Sequence, residues 1–338
     1  MRAAILLIAI LFSTTWAQNE QRRIGSIDFY GYAGLNLEQI RPALPLHVGD
    51  PYPGPIETLE GINKAVTSVI GRPPVDVSPV CCDAKGNYMI YIGLPGTSIK
   101  NTELNPVPTG NTHLPPKIVD LYKQIMDANL ASVMKGNARE DTSKGYALST
   151  TEPDLRAKQL EAHAYATQHE KLIRAVLDSS SEAQQRVVAA YLLGYARQSR
   201  QQIAYLVRAS HDADEGVRNN ATRALGVLAE SNPKVAAQIP AAGFITMLSS
   251  GSWSDRNKAT WVLLSMTRSR DPKLIAQLRS EALVSLLEMA RWRGPHVYDS
   301  RILLARIAGI EEERAKQLAN ADNIDEILKS LQLAGSPP

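Results

Sequence analysis

Between Ser181 and Gly309 one pattern returns four times, and it limits the fold more than any other feature of the chain. Its clearest copy runs Asp214-Glu215-Gly216-Val217-Arg218-Asn219-Asn220-Ala221-Thr222-Arg223-Ala224-Leu225-Gly226-Val227-Leu228. Arg186, Ala189, Leu193 and Gly194 match Arg218, Ala221, Leu225 and Gly226 at an offset of 32. Arg256, Ala259, Leu263 and Met266 match Arg218, Ala221, Leu225 and Leu228 at an offset of 38. A weaker copy sets Leu303, Ile307 and Ile310 against Ala259, Leu263 and Met266, 44 residues on. Periods of this length, with a small residue on the helix and apolar positions at i+4 and i+7, imply stacked helical pairs.

The units expected are Glu182–Arg197 with Gln201–Ala209, Glu215–Glu230 with Pro240–Leu248, Asp255–Arg268 with Pro272–Arg291, and Val297–Ile310 with Glu312–Leu333. Caps fall where the period needs them, at Asp212 or Asp214, at Asn232 before Pro233 and at Asp271 before Pro272. Upstream, Thr151-Glu152-Pro153-Asp154 has capping-box spacing and should open a long helix to about Leu177. Pro115-Pro116 should open another to about Lys135, with the polar stretch Gly136 to Thr150 as a loop between them.

The chain starts with Met1-Arg2, an apolar run from Ala3 to Phe12, and Thr15-Trp16-Ala17. A basic start, a short apolar core and small residues at −3 and −1 predict a secretory leader over residues 1–17, cleaved after Ala17. The expected setting is periplasmic or extracellular. No later run is apolar and long enough to span a bilayer as a helix. Net charge is only +3, which gives no electrostatic case for nucleic acid.

Residues 22–95 read as a small α+β domain. Ile24, Ile27 and Phe29 mark a strand that ends at Gly31. Asn36 can cap a helix carrying Leu37, Ile40 and Leu44, and a second helix should run from Ile56 to Ile70. Strands at Val75 to Cys82 and Tyr88 to Leu94 follow, joined through Gly86-Asn87. Residues 96–114, rich in Pro, Asn and Thr, read as an extended linker. Residues 115–333 form the helical array and 334–338 a disordered tail. The fold class is therefore multidomain, β-α-α-β-β followed by an all-α solenoid.

Two resemblances sharpen this. Ile24 and Ile27 before Gly31, Leu44-Pro45-Leu46 with Gly49-Asp50 and Tyr52, and the Tyr88 to Leu94 strand together resemble a POTRA domain, over about a fifth of the chain. That likeness implies a sheet edge open to strand addition, though no barrel-like run of strands follows. Val217-Arg218, Ala221, Ala224-Leu225-Gly226 and their equivalents resemble HEAT repeats, near the HEAT-like class that includes phycobilisome lyases. The Ala positions let helices approach, and Arg in the first turn should reach an acidic or carbonyl group of the next repeat through solvent-exposed ends.

Candidate chemistry is sparse. The six histidines are scattered, and no nucleophile elbow, zinc-protease helix or phosphate loop occurs, so no catalytic, cofactor or metal residue is assigned. Cys81 and Cys82 are adjacent, which disfavours a bond between them and predicts one buried and one edge thiol. A vicinal redox pair or an intermolecular bridge is the alternative. Trp and Arg are enriched at interfaces, so Trp253, Arg291, Trp292 and Arg293, with Arg218 and Arg256 of the repeats, are the candidate partner-binding residues. The function expected is a secreted, non-catalytic adaptor for protein partners, envelope or outer-membrane proteins among them. The alternatives are a HEAT-like lyase using Tyr146, His163, His169 and Glu170, and an accessory subunit of outer-membrane machinery.

Overall fold

The computed structural model describes residues 22–321 and 324–333. The expected leader at 1–17 and tail at 334–338 lie outside the described residues. The chain begins with β1 (Ile24–Tyr30), α1 (Leu37–Ile40) with a 3₁₀ turn at Arg41–Ala43, and α2 (Pro55–Ile70), then β2 (Asp76–Cys81) and β3 (Tyr88–Gly93). β3 is central, parallel to β1 and antiparallel to β2. Alternation along β3 sends Ile90 and Ile92 to one face, where they join Phe29, Ile40, Ile62 and Val66 under α1 and α2. Met89 and Tyr91 go to the other face and, with Tyr30, belong to the core of the helical array. The sheet is thus a shared layer, buried on both sides.

Neither sheet edge is alike. On β1 the outer carbonyls are taken: Ile24 by the Gly49 N–H at 2.8 Å, Ile27 by Arg41 at 3.4 Å and Phe29 by the Trp292 indole at 3.0 Å. Among the described residues no strand pairs with the outer side of β2, which carries Pro79.

The helical part comprises α3 (Pro116–Met134), a hairpin of β4 (Glu140–Asp141) and β5 (Leu148–Ser149), and α4 (Pro153–Ser179). The pairs follow: α5 (Ala183–Leu193) with α6 (Arg200–Ala209), then α7 (Glu215–Ser231) with the short α8 (Pro233–Ala236) and α9 (Ala241–Met247). After them come α10 (Trp253–Met266) with α11 (Pro272–Met289), and α12 (Val297–Ile307) with α13 (Glu312–Ala319) and α14 (Asp325–Leu333). Helices α4, α5, α7, α10 and α12 stack in one row, so this is a helical-repeat solenoid. Small residues set the spacing: Ala189, Ala221 and Ala259 are fully buried, and Gly226 lies under the Trp261 ring. Asp214, Asn232 and Asp271 cap α7, α8 and α11 by accepting from Val217, Lys234 and Lys273 main-chain N–H groups.

Three features depart from the expectations. The stretch 136–150 is not a bare loop: it holds the β4–β5 hairpin, with Ala147, Leu148 and Ser149 buried. Helix α3 stays outside the row and lies on α4 and α5. Residues 96–114 are extended but are not a free spacer. They run back along the solenoid as a strap, bonding Lys100 N–H to Ser249 O at 2.9 Å and Asn105 N–H to His211 O at 2.7 Å. Ser181 N–H then donates to Gly110 O at 2.8 Å, and Leu114 N–H to the Gln185 side chain at 2.8 Å. These contacts fall at the turn before one repeat after another, because a chain without regular structure can satisfy its buried amides there.

Candidate partner-binding face

The repeat arginines are internal. Arg218 donates from Nε to both Asp255 oxygens at 2.9 and 3.2 Å, and from a terminal nitrogen to Asp212 O and Ala213 O, each at 3.0 Å. Arg186 does the same with Asp212 at 2.8 and 2.9 Å and with Ser180 O at 3.0 Å. Arg256 bonds Ser250 O at 2.7 Å, reaches Glu288 at 3.4 Å, and lies 4.8 Å above the Tyr30 ring. Each arginine pins the turn before its own helix and a carboxylate of the next repeat, as expected, but the ends are buried and not exposed. Arg218 and Arg256 are therefore corrected from partner-binding residues to repeat-to-repeat ties.

The tryptophans are internal as well. Trp292 is 2% exposed and donates to Phe29 O, and Trp253 stacks on Tyr91 with centroids 5.0 Å apart. The Trp253 main-chain N–H donates to Asp76 at 2.9 Å, and the Arg293 main-chain N–H to both Asp28 oxygens at 3.1 Å. Arg291 and Arg293 keep exposed side chains. This cluster is a hot spot turned inward: it fastens the sheet to the solenoid. Burial raises the Asp28 carboxyl pKa, opposed by the Arg293 and Gly294 N–H groups.

Cys81 and Cys82 are joined as a vicinal disulfide, a correction to the expected separate thiols. The peptide bond between them is cis, and Arg22 donates to both Sγ atoms at 3.1 and 3.0 Å. The four residues considered for catalysis are each held in local contacts. Tyr146 stacks on His163 at 4.2 Å, and His163 Nδ1 lies 2.7 Å from Tyr195 O. His169 lies against Tyr165 at 4.4 Å, and Glu170 pairs with Arg174 at 3.6 Å.

What the sequence did not flag is one open part of the helix row. Helix α3 covers α4 and α5 and reaches α7, where Asn220 donates to the Tyr122 hydroxyl at 3.3 Å. The hairpin covers α5 and part of α7, with Ala147 O accepting from Tyr195 at 2.8 Å and Glu140 paired to Arg223. Beyond Arg223 the row is uncovered, and α10 and α12 present half-buried Asn257, Lys258, Trp261, Tyr298 and Asp299. A cleft of about 590 Å³ adjoins them, floored by Leu264, Tyr298 and Ile302 and walled by the charged Glu230, Arg268, Arg270, Arg306, Glu312 and Lys316.

The electrostatics of this part are unusual. Among the described residues, neither Lys258 nor Asp299 makes a hydrogen bond or an ion pair, whereas the fully buried Arg186, Arg218, Arg256 and Glu288 are all paired. Burial, then the Arg223 charge, lowers the Lys258 amine to about 8, with Glu140 and Asp299 opposing. Burial, then Glu230, raises the Asp299 carboxyl to about 6. Burial, then Lys258, lowers His296 to about 4, so the ring is neutral at pH 7 in its 2.9 Å hydrogen bond with Tyr91.

No family model matches the chain, and no curated protein matches it. Among solved structures it is similar to a designed armadillo repeat protein, YIII(Dq)4CqI, at 19% identity and a TM-score of 0.35, covering 55% of this chain and 94% of that one. A second designed armadillo repeat protein, YIII(Dq.V1)4CPAF in complex with the peptide (KR)4, is similar at 19% identity and a TM-score of 0.35, covering 65% and 97%. Among the described residues no helix is long and apolar enough to cross a membrane.

Proposed function

We propose that this protein is an exported, non-catalytic adaptor that holds a protein partner on the uncovered face of α10 and α12. The solenoid is HEAT-like and the 22–95 unit POTRA-like in this reading, and the partner is an envelope or outer-membrane protein. The 1–17 leader pattern supports export, and the mixed β1-β3-β2 sheet under two helices supports the POTRA-like assignment. One observation carries the binding role. Beside a cleft with an apolar floor and charged walls, this face holds two half-buried charges of opposite sign, Lys258 and Asp299, that make no hydrogen bond or ion pair among the described residues.

Docking by strand addition is the weaker route here. The β1 edge is taken, and β2 is six residues long, contains Pro79 and ends at the disulfide. A photo-crosslinking amino acid placed at Asn257, on α10, tests the proposal in envelope fractions. A discrete crosslinked partner is expected there, and none at Val284, which is 53% exposed on α11. Equal crosslinking at both positions, or none at Asn257, would remove the reading.

A further inference from the structure

Lys258 and Asp299 lie on neighbouring helices of the row and carry opposite charges, yet no direct contact joins them. Arg223, on the other side of Lys258, binds Glu140 through one terminal nitrogen, and its other donors make no hydrogen bond among the described residues. Half-buried charges are costly to leave without contacts, and the three repeat arginines, the sheet carboxylates Asp28 and Asp76, and Glu288 each have at least one polar partner. Two neighbouring unpaired charges of opposite sign, beside a cleft with an apolar floor and a charged rim, define what a complementary surface must supply.

We infer that this face selects a mixed-charge peptide segment of the partner, in which an acidic side chain docks between Lys258 and Arg223 and a basic side chain reaches Asp299. Apolar residues of the segment then fill the cleft over Leu264, Tyr298 and Ile302. This rests on the proposal that the uncovered face binds a protein. Polyanions are disfavoured, because Asp299, Glu230 and Glu140 border the same two cations and repel a second negative charge. Purely basic segments are disfavoured by Lys258 and Arg223. An incoming carboxylate beside the Lys258 amine favours its charged form and offsets the cost of its burial.

The test is selection of random 12-residue peptides by phage display on the full chain, on K258E, on K258M and on Y298A, each checked for a native circular-dichroism spectrum and cooperative unfolding. Wild type should enrich sequences with an acidic residue and a basic residue among apolar ones. On K258E the acidic position should give way to Lys or Arg. A synthetic peptide of the wild-type consensus should bind K258M about tenfold or more weakly. Enrichment abolished by Y298A but indifferent to K258E and K258M would overturn the charge inference and leave the binding face standing. Enrichment unchanged in every variant, or absent on wild type, would overturn both.

Discussion

Glu288 allows the strength of the attachment between sheet and solenoid to be worked out. From α11 its carboxylate accepts the Gly31 N–H at 2.7 Å, the Ala33 N–H at 3.0 Å and the Ser98 hydroxyl at 2.6 Å, with Arg256 at 3.4 Å. In E288A two main-chain N–H groups lose their acceptor, at about 1–3 kcal/mol each where burial is complete. Arg256 is left as an uncompensated buried cation, and breaking such a pair costs about 3–5 kcal/mol. The lower end applies, because 3.4 Å is long and burial already holds the Arg256 pKa below its usual value. These losses overlap, so the expected destabilisation is about 5 kcal/mol, comparable with the whole stability of many domains. R256M/E288A should recover about 2 kcal/mol of it by removing the stranded charge. Urea unfolding of the full chain gives the difference, and hydrogen exchange at Gly31 and Ala33 locates it. A loss below about 1 kcal/mol, or unchanged protection of those two amides, would refute the reasoning.

Two further predictions follow from the same contacts. K258M should be more stable than wild type at pH 7 by about 1–2 kcal/mol, since the full shift from 10.5 to about 8 sets an upper bound of about 3 and solvent contact reduces it. Between those values the unfolded chain binds more protons, so the wild type gains stability as pH rises and the advantage of K258M should vanish above about pH 10.5; a gap constant with pH refutes it. G110A should release the strap, because a Cβ there would meet Ser179 O at 2.6 Å; faster proteolysis within 96–114 is the expected readout, and wild-type resistance counts against it.

How far the sequence carried each part depended on whether the contacts were local. Helix pairs and caps rest on spacings of three and four residues, and Ala221, Leu225 and Asp214 announce them directly. The arginine ties were visible only at one end. Their carboxylates stand 26, 37 and 32 residues on, at Asp212, Asp255 and Glu288, a spacing no fixed period supplies. Whether those arginines face water or the next repeat is decided by that distant partner. The extended stretch 96–114 does not show in sequence where it attaches, because its bonds at Lys100, Asn105 and Gly110 use main-chain atoms, which leave no mark on composition. Trp253 and Trp292 have interface chemistry, and the sheet that covers them lies more than 150 residues earlier in the chain. Lys258 and Asp299 look like ordinary surface charges in sequence; their partial burial against the neighbouring helices sets them apart.

The same contacts explain why binding is confined to one region. A repeat array offers two broad helix faces and two rows of turns. Here the strap lines one row of turns, the sheet is fixed against α10 and α11, and α3 with the hairpin overlies the first helices of the row. Each cover brings polar groups that match those beneath it, which is why Arg223, Asn220 and Glu288 have partners from outside their own repeats. The covers stop at Arg223, and on the next two helices Lys258 and Asp299 make no hydrogen bond or ion pair among the described residues. A surface left incomplete where the intramolecular layers end calls for their continuation: apolar contacts with one acid and one base. A partner segment with that chemistry would extend the third layer across α10 and α12, burying the same kinds of contact that α3 and the hairpin bury across α4 to α7.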